Sequence, residues 1–146
     1  MLVLLPAGLL AGEPSEPLGW RLGPAAWSFN RFTFFESVDK TAALHLRYIE
    51  AFEGQRVSPD IDAKMGADLP ADVVAKIAAK LESARVKLTS IYIHALPGDE
   101  AKCRNAFALC RKLGVETIVS EPPPESLDLI EKLCDEYNIK VAIHNH

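Results

Sequence analysis

The chain has 146 residues, a hydrophobic fraction of 49%, a charged fraction of 25% and a formal net charge of −4. That length fits one domain with a core of its own, and the composition is ordinary for a globular protein. The acidic balance and the lack of a basic stripe give no nucleic-acid footprint. No apolar run approaches the ~18 residues of a membrane-spanning helix, so neither a nucleic acid nor a membrane is expected as a partner.

Residues 1–17 read MLVLLPAGLLAGEPSEP. The apolar stretch Leu2 to Ala11, turning polar at Glu13, looks like the centre and exit of a secretory signal peptide. The basic segment that should precede it is missing, and Leu9 and Ala11 make a poor cleavage pair. The expectation is a signal peptide or disordered apolar tail over 1–17 and a folded domain over 18–146. A signal peptide would place the protein in the periplasm or outside the cell; otherwise it is cytoplasmic.

From Pro24 the pattern alternates. PAAWSF (Pro24 to Phe29) is a short apolar run and a candidate strand. Thr33 to Leu46 carries a helical stripe of Phe34, Phe35, Val38, Ala42 and Leu46, with Thr33 and Glu36 spaced as a capping box. YIEAF (Tyr48 to Phe52) is a second strand, and Gly54 to Leu69 reads as a long irregular loop. Pro70 opens a helix running to about Ala84, with Val73, Val74, Ile77 and Leu81 inward.

VKLTSIYIHA (Val86 to Ala95) is a third strand, alternating Leu88, Ser90, Tyr92 and His94 on one face with Thr89, Ile91, Ile93 and Ala95 on the other. A helix over Asp99 to Leu113 ends at Gly114, VETIVS (Val115 to Ser120) is a fourth strand, and Glu125 to Tyr137 is a helix closed by Asn138. IKVAI (Ile139 to Ile143) is a fifth strand. Cys103 and Cys110 sit two turns apart on one helix face, roughly 10 Å, which is too far for a disulfide. They read as small buried hydrophobes.

Strands separated by helices need crossover connections and therefore lie parallel. Two α/β architectures fit: an open doubly wound sheet, or part of an eight-stranded barrel. In both, chemistry gathers at the carboxyl ends of the strands. Those ends carry Trp27 and Ser28, Glu50, His94, Ser120 and Glu121, then His144, Asn145 and His146. The opposite ends carry Lys87, Glu116 and Lys140, ordinary solubilising charges.

Each group also has a plainer structural reading. His94 reads equally as a strand cap on a backbone carbonyl, Glu50 as half of a salt bridge, and the His144/His146 pair as polar surface at a frayed terminus. Glu121 is held near its strand end by the three prolines that follow. Two imidazoles on one side of a strand suit a divalent metal or a proton shuttle. No phosphate-cradling GxGxxG or GxxxxGK[ST] and no GxSxG elbow is present, which leaves a metal-assisted or acid–base site.

AWSF, TFFESVDKTAALHLRYIEAF, GQRVSPD, LTSIYIH, TIVSEPPP and VAIHNH together resemble the sugar phosphate isomerase/epimerase superfamily, the xylose-isomerase-like TIM barrels. The resemblance implies a partial (β/α)8 barrel of about five parallel strands and four helices, ending before the last three strands. It implies a divalent metal (Mn, Mg, Co or Zn) at the carboxyl face, a sugar or sugar-phosphate substrate, and proton transfer next to a carbonyl.

Members often carry a metal-binding glutamate in a Glu-Asn-His-like sequence where this chain has His144-Asn145-His146. On that footing His144 is the metal ligand, Glu121 and His146 are catalytic, and Trp27, Glu50 and His94 line the substrate. The piece alone is expected to be inactive and able to self-associate through open barrel edges. The alternatives are a flavodoxin-like binding module without catalysis, or a half-barrel that assembles into an oligomer.

Overall fold

The computed structural model describes residues 18–145; the expected signal segment over 1–17 and His146 lie outside the described residues. Four helices accompany a four-stranded parallel sheet. The helices are α1 (Phe34–Ala43), α2 (Ala71–Ala84), α3 (Glu100–Leu113) and α4 (Leu127–Tyr137). The sheet contains β1 (Tyr48–Phe52), β4 (Lys87–Tyr92), β5 (Thr117–Ser120) and β6 (Lys140–Ile143), ordered β1-β4-β5-β6. A small antiparallel hairpin, β2 (Arg56–Ser58) with β3 (Ile61–Lys64), stands apart from it.

Strand order follows chain order without reversal. A flavodoxin-like sheet would reverse its order after the first strand to create a switch point. The flavodoxin-like topology therefore does not fit, and the arrangement is that of part of a (β/α)8 barrel.

The helices form where the sequence caps them. Thr33 and Glu36 make the reciprocal capping box of α1, the Asp99 carboxylate accepts from the Lys102 amide at 2.9 Å at the start of α3, and Gly114 and Asn138 close α3 and α4 in the left-handed conformation. One layer of apolar side chains joins helices to sheet. Ile49, Ala51, Leu88, Ile91 and Ile118 from the strands are buried with Phe34, Val38, Ile77, Phe107 and Leu133 from the helices. Truncating a ring such as Phe107 in such a layer costs about 3–5 kcal/mol. Cys103 and Cys110 lie in it as free thiols, pushed by burial to about 11 and about 12, so they act as the expected small hydrophobes.

Three expectations need correction. The strand over Pro24 to Phe29 is reduced to a single parallel bridge, Ala25 beside Glu50, followed by a 3₁₀ turn over Ala26–Phe29. The segment between Gly54 and Leu69 is not irregular, because it folds into the β2–β3 hairpin. Gln55 pins that hairpin to α1 by donating from Nε2 to the Phe32 carbonyl and to Ser37 Oγ, both at 3.1 Å.

The third correction concerns β4. Ile49 pairs with Leu88 and Glu50 with Ser90, so Thr89 is an extra residue in the ladder. A bulge of this kind shifts the phase of alternation. Leu88 therefore joins Ile91 in the helix-facing core, while Ser90 and Tyr92 turn to the other face.

The stub before the 3₁₀ turn is held against β1 by the Glu50 amide donating to the Pro24 carbonyl at 3.1 Å. Gly23 permits the approach, since a Cβ there would collide with the Tyr48 carbonyl. Gly23→Ala is expected to lose roughly 1–3 kcal/mol, the usual cost of overpacking. In a Trp20→Phe background it should also change Trp27 emission. Denaturant unfolding followed by tryptophan fluorescence checks both.

Candidate functional site

The sheet has two unlike faces. Its helix-facing side is the core. Its other side, the one that lines the interior in a barrel, presents Glu50 and Phe52 from β1, Ser90 and Tyr92 from β4, and Val119 from β5. A cavity of ≈ 440 Å³ lies over the carboxyl half of this face, lined chiefly by Trp27, Glu50, Phe52, Tyr92, Val119 and His144. Its walls are mostly aromatic and aliphatic, with one carboxylate. A larger depression, ≈ 590 Å³, lies at the other ends of the strands among Arg21, Arg111, Asn138 and Lys140. There Arg21 and Lys87 both bond Glu116, which holds its carboxyl below the usual range. That end contains solvated ion pairs and no convergent acid–base group among the described residues.

Backbone register carries the chemistry to one place. The Glu121 amide donates to the His94 carbonyl and the His144 amide to the Ser120 carbonyl, each at 2.9 Å. These bonds continue the parallel ladders one step past the ends of β4 and β5. His94, Glu121 and His144 consequently stand side by side on three neighbouring chain segments. Ser120 is buried beneath them, accepting from the Leu96 amide at 3.2 Å and donating to the His94 carbonyl at 3.4 Å. It fixes the turn after β4 and does not face the cavity.

Tyr92 is the centre of the cluster. Its hydroxyl donates to Glu121 Oε1 at 2.6 Å and lies 3.0 Å from His94 Nδ1. The phenol has one proton, already committed to Glu121. The second contact is then a hydrogen bond only when His94 carries its proton on Nδ1. The Tyr92 ring also packs edge-to-face on the His144 imidazole, with centroids 5.3 Å apart. The hydrogen bond to Glu121, partial burial and the Glu53 charge together raise the Tyr92 phenol above the ordinary tyrosine range.

The expected site residues divide as follows. Glu50 faces the cavity and accepts from Ser90 Oγ at 2.8 Å. Trp27 is 64% exposed and stands edge-on to Phe52 at 5.0 Å, forming one wall. His94 is on the rim, its side chain 73% exposed and 3.8 Å from Glu121. Glu121 and His144 meet through Tyr92, whereas His146 lies outside the described residues.

Among the described residues no three His, Cys, Asp or Glu side chains gather closely enough to hold a metal ion. The donor set there does not make a complete cation site. Sequence reasoning gave no role to Tyr92, Ser90 or Glu53, whose carboxylate accepts from the His94 amide at 3.3 Å. For Tyr92 a signal existed: it lies two residues before His94, on the same face of a strand nearing its carboxyl end.

No protein-family model matches the chain, and no curated protein matches it. Solved structures do. An uncharacterized protein from Parabacteroides distasonis ATCC 8503 is 30% identical with a TM-score of 0.79, over 87% of this chain and 53% of that one. A sugar phosphate isomerase/epimerase from the same organism is 11% identical with a TM-score of 0.60, over 86% of this chain and 51% of that one. A D-psicose 3-epimerase, solved in the presence of D-fructose, is 15% identical with a TM-score of 0.56, over 78% and 49%. At those identities the likeness to the two sugar enzymes is one of fold. The chain spans about half the length of each of the three.

The Tyr92 contact is open to measurement. Of the three tyrosines, Tyr92 is expected to ionise above the ordinary range, its neutral form persisting as pH rises past 10. Glu121→Gln removes the carboxylate acceptor and should bring that ionisation down. Ultraviolet titration of the phenolate band in the two proteins, with Tyr92→Phe to assign it, checks this.

Proposed function

We propose that this chain supplies part of the active site of a sugar isomerase or epimerase, and that Glu121 transfers the proton on the carbon next to a carbonyl. The observation that carries the reading is the Tyr92–Glu121–His94 contact at the carboxyl ends of adjacent parallel strands, beside an aromatic cavity. The fold shared with two sugar isomerase/epimerase-type structures supports it.

The chemistry follows from the residue types. A carbon acid next to a carbonyl is a weak proton donor, so its base must be placed within reach before reaction. Glu121 is held on one oxygen by a phenol and is only 25% exposed. Trp27 and Phe52 offer the flat apolar surface on which the C–H face of a sugar packs, and Glu50 faces the same cavity as an acceptor for hydroxyls. Expelling water from such a cup strengthens every charge contact inside it.

The divalent metal that the resemblance implies would need donors besides those gathered among the described residues. His144 would be this segment's ligand, and no step above depends on it.

Deuterium exchange tests the proposal. The longer protein of which this reading makes the chain a part, in D2O with a panel of free and phosphorylated ketoses, should place solvent deuterium on the carbon beside the carbonyl of at least one sugar, read by NMR, while the 146-residue chain alone should not. Glu121→Gln should slow that exchange by at least about 100-fold, the usual loss when a positioned base is removed. Trp27→Ala should raise KM more than it lowers kcat. A longer wild-type protein that exchanges nothing, or its Glu121→Gln variant as fast as wild type, contradicts the reading.

A further inference from the structure

We infer that Tyr92 is the positioning residue of this site, with its hydroxyl fixing Glu121 and its ring fixing His144. The inference deepens the function proposed above and rests on Glu121 as the proton-transferring group. Tyr92 is the last residue of β4, the strand between β1 and β5, and it points away from the helix-facing core. From there it reaches side chains from two different chain segments. The hydroxyl donates to Glu121 Oε1 at 2.6 Å, just past β5, and the ring meets the His144 imidazole at 5.3 Å and an interplanar angle of 70°, just past β6.

Two different parts of one side chain therefore do two separable things. The hydrogen bond is directional and needs the oxygen. The edge-to-face contact needs only the ring. His94 Nδ1 lies 3.0 Å from the same oxygen and adds a third hold when it carries the ring proton. A base on a long, flexible glutamate side chain gains from such a hold, because proton abstraction depends on placement to a fraction of an ångström.

The separability makes the inference testable on the chain itself. Tyr92→Phe keeps the ring and loses the oxygen; Tyr92→Leu loses both. Side-chain three-bond couplings measured by NMR report whether Glu121 and His144 each occupy one rotamer. In the wild type both are expected to be single. In Tyr92→Phe the Glu121 couplings should move toward averaged values while those of His144 are unchanged, and in Tyr92→Leu both should move.

Circular dichroism establishes that each variant is folded. Should Tyr92→Leu not fold, Tyr92→Phe alone still separates the two roles. Glu121 couplings unchanged in a folded Tyr92→Phe protein, or His144 couplings changed in it, overturn the inference. Where a sugar supports exchange, Tyr92→Phe is expected to lower kcat roughly tenfold with KM changed less than about twofold, the pattern of a misplaced catalytic group. Absence of exchange in the longer wild-type protein would sink the proposed function, yet the rotamer measurement on this chain would still decide the role of Tyr92.

Discussion

Everything at the candidate site depends on parallel register. Side chains alternate along a strand, so a slip of one residue would exchange the cavity face for the core face. The core prevents the slip. Ile49, Leu88, Ile91 and Ile118 can be buried together under the helices only in the observed pairing, Ile49 with Leu88 and Ile91 with Ile118. The same pairing sets Glu50 beside Ser90 and Tyr92 beside Val119. Carried past the strand ends by two backbone hydrogen bonds, it aligns His94, Glu121 and His144. Apolar packing on one side of the sheet thus specifies polar geometry on the other.

The two ends of the sheet carry polar groups of different kinds. At the amino ends, Glu116 shares its carboxylate between Arg21 and Lys87, all three substantially exposed. Such pairs are screened by water and contribute little. At the carboxyl ends the charged groups are carboxylates bonded to hydroxyls, Glu50 to Ser90 and Glu121 to Tyr92, beside aromatic walls. A carboxylate bonded to one hydroxyl has an oxygen left to offer a ligand, whereas Glu116 Oε1 is shared between two cations.

Much of this was legible in the residues. The helices announced themselves through stripes and caps, and Thr33–Glu36, Gly114 and Asn138 act as their chemistry requires. The collection of Trp27, Glu50, His94, Glu121 and His144 at one end followed from the alternation of strands and helices alone. Three features were not legible, for physical reasons. The Thr89 bulge leaves no mark in a strand that still alternates well on paper. The Gln55 hairpin is written in long-range hydrogen bonds from a polar side chain. Tyr92 looks like an ordinary strand aromatic until the register brings Glu121 and His144 to it. The first expected strand shrank to one bridge because Ala26–Phe29 closes into a 3₁₀ turn, which swings Trp27 to the cavity wall.

The proposed function puts ligand binding on the inner face of the sheet, at its carboxyl end. The most direct test is an NMR titration of the protein with a free ketohexose such as D-fructose, reading backbone amides and the tryptophan indole signals. The account predicts that the shifted signals cluster on Trp27, Phe52, Tyr92, Glu121 and His144. Shifts confined to the groove of Arg21, Arg111, Asn138 and Lys140, or no shifts with any ketohexose, would contradict it.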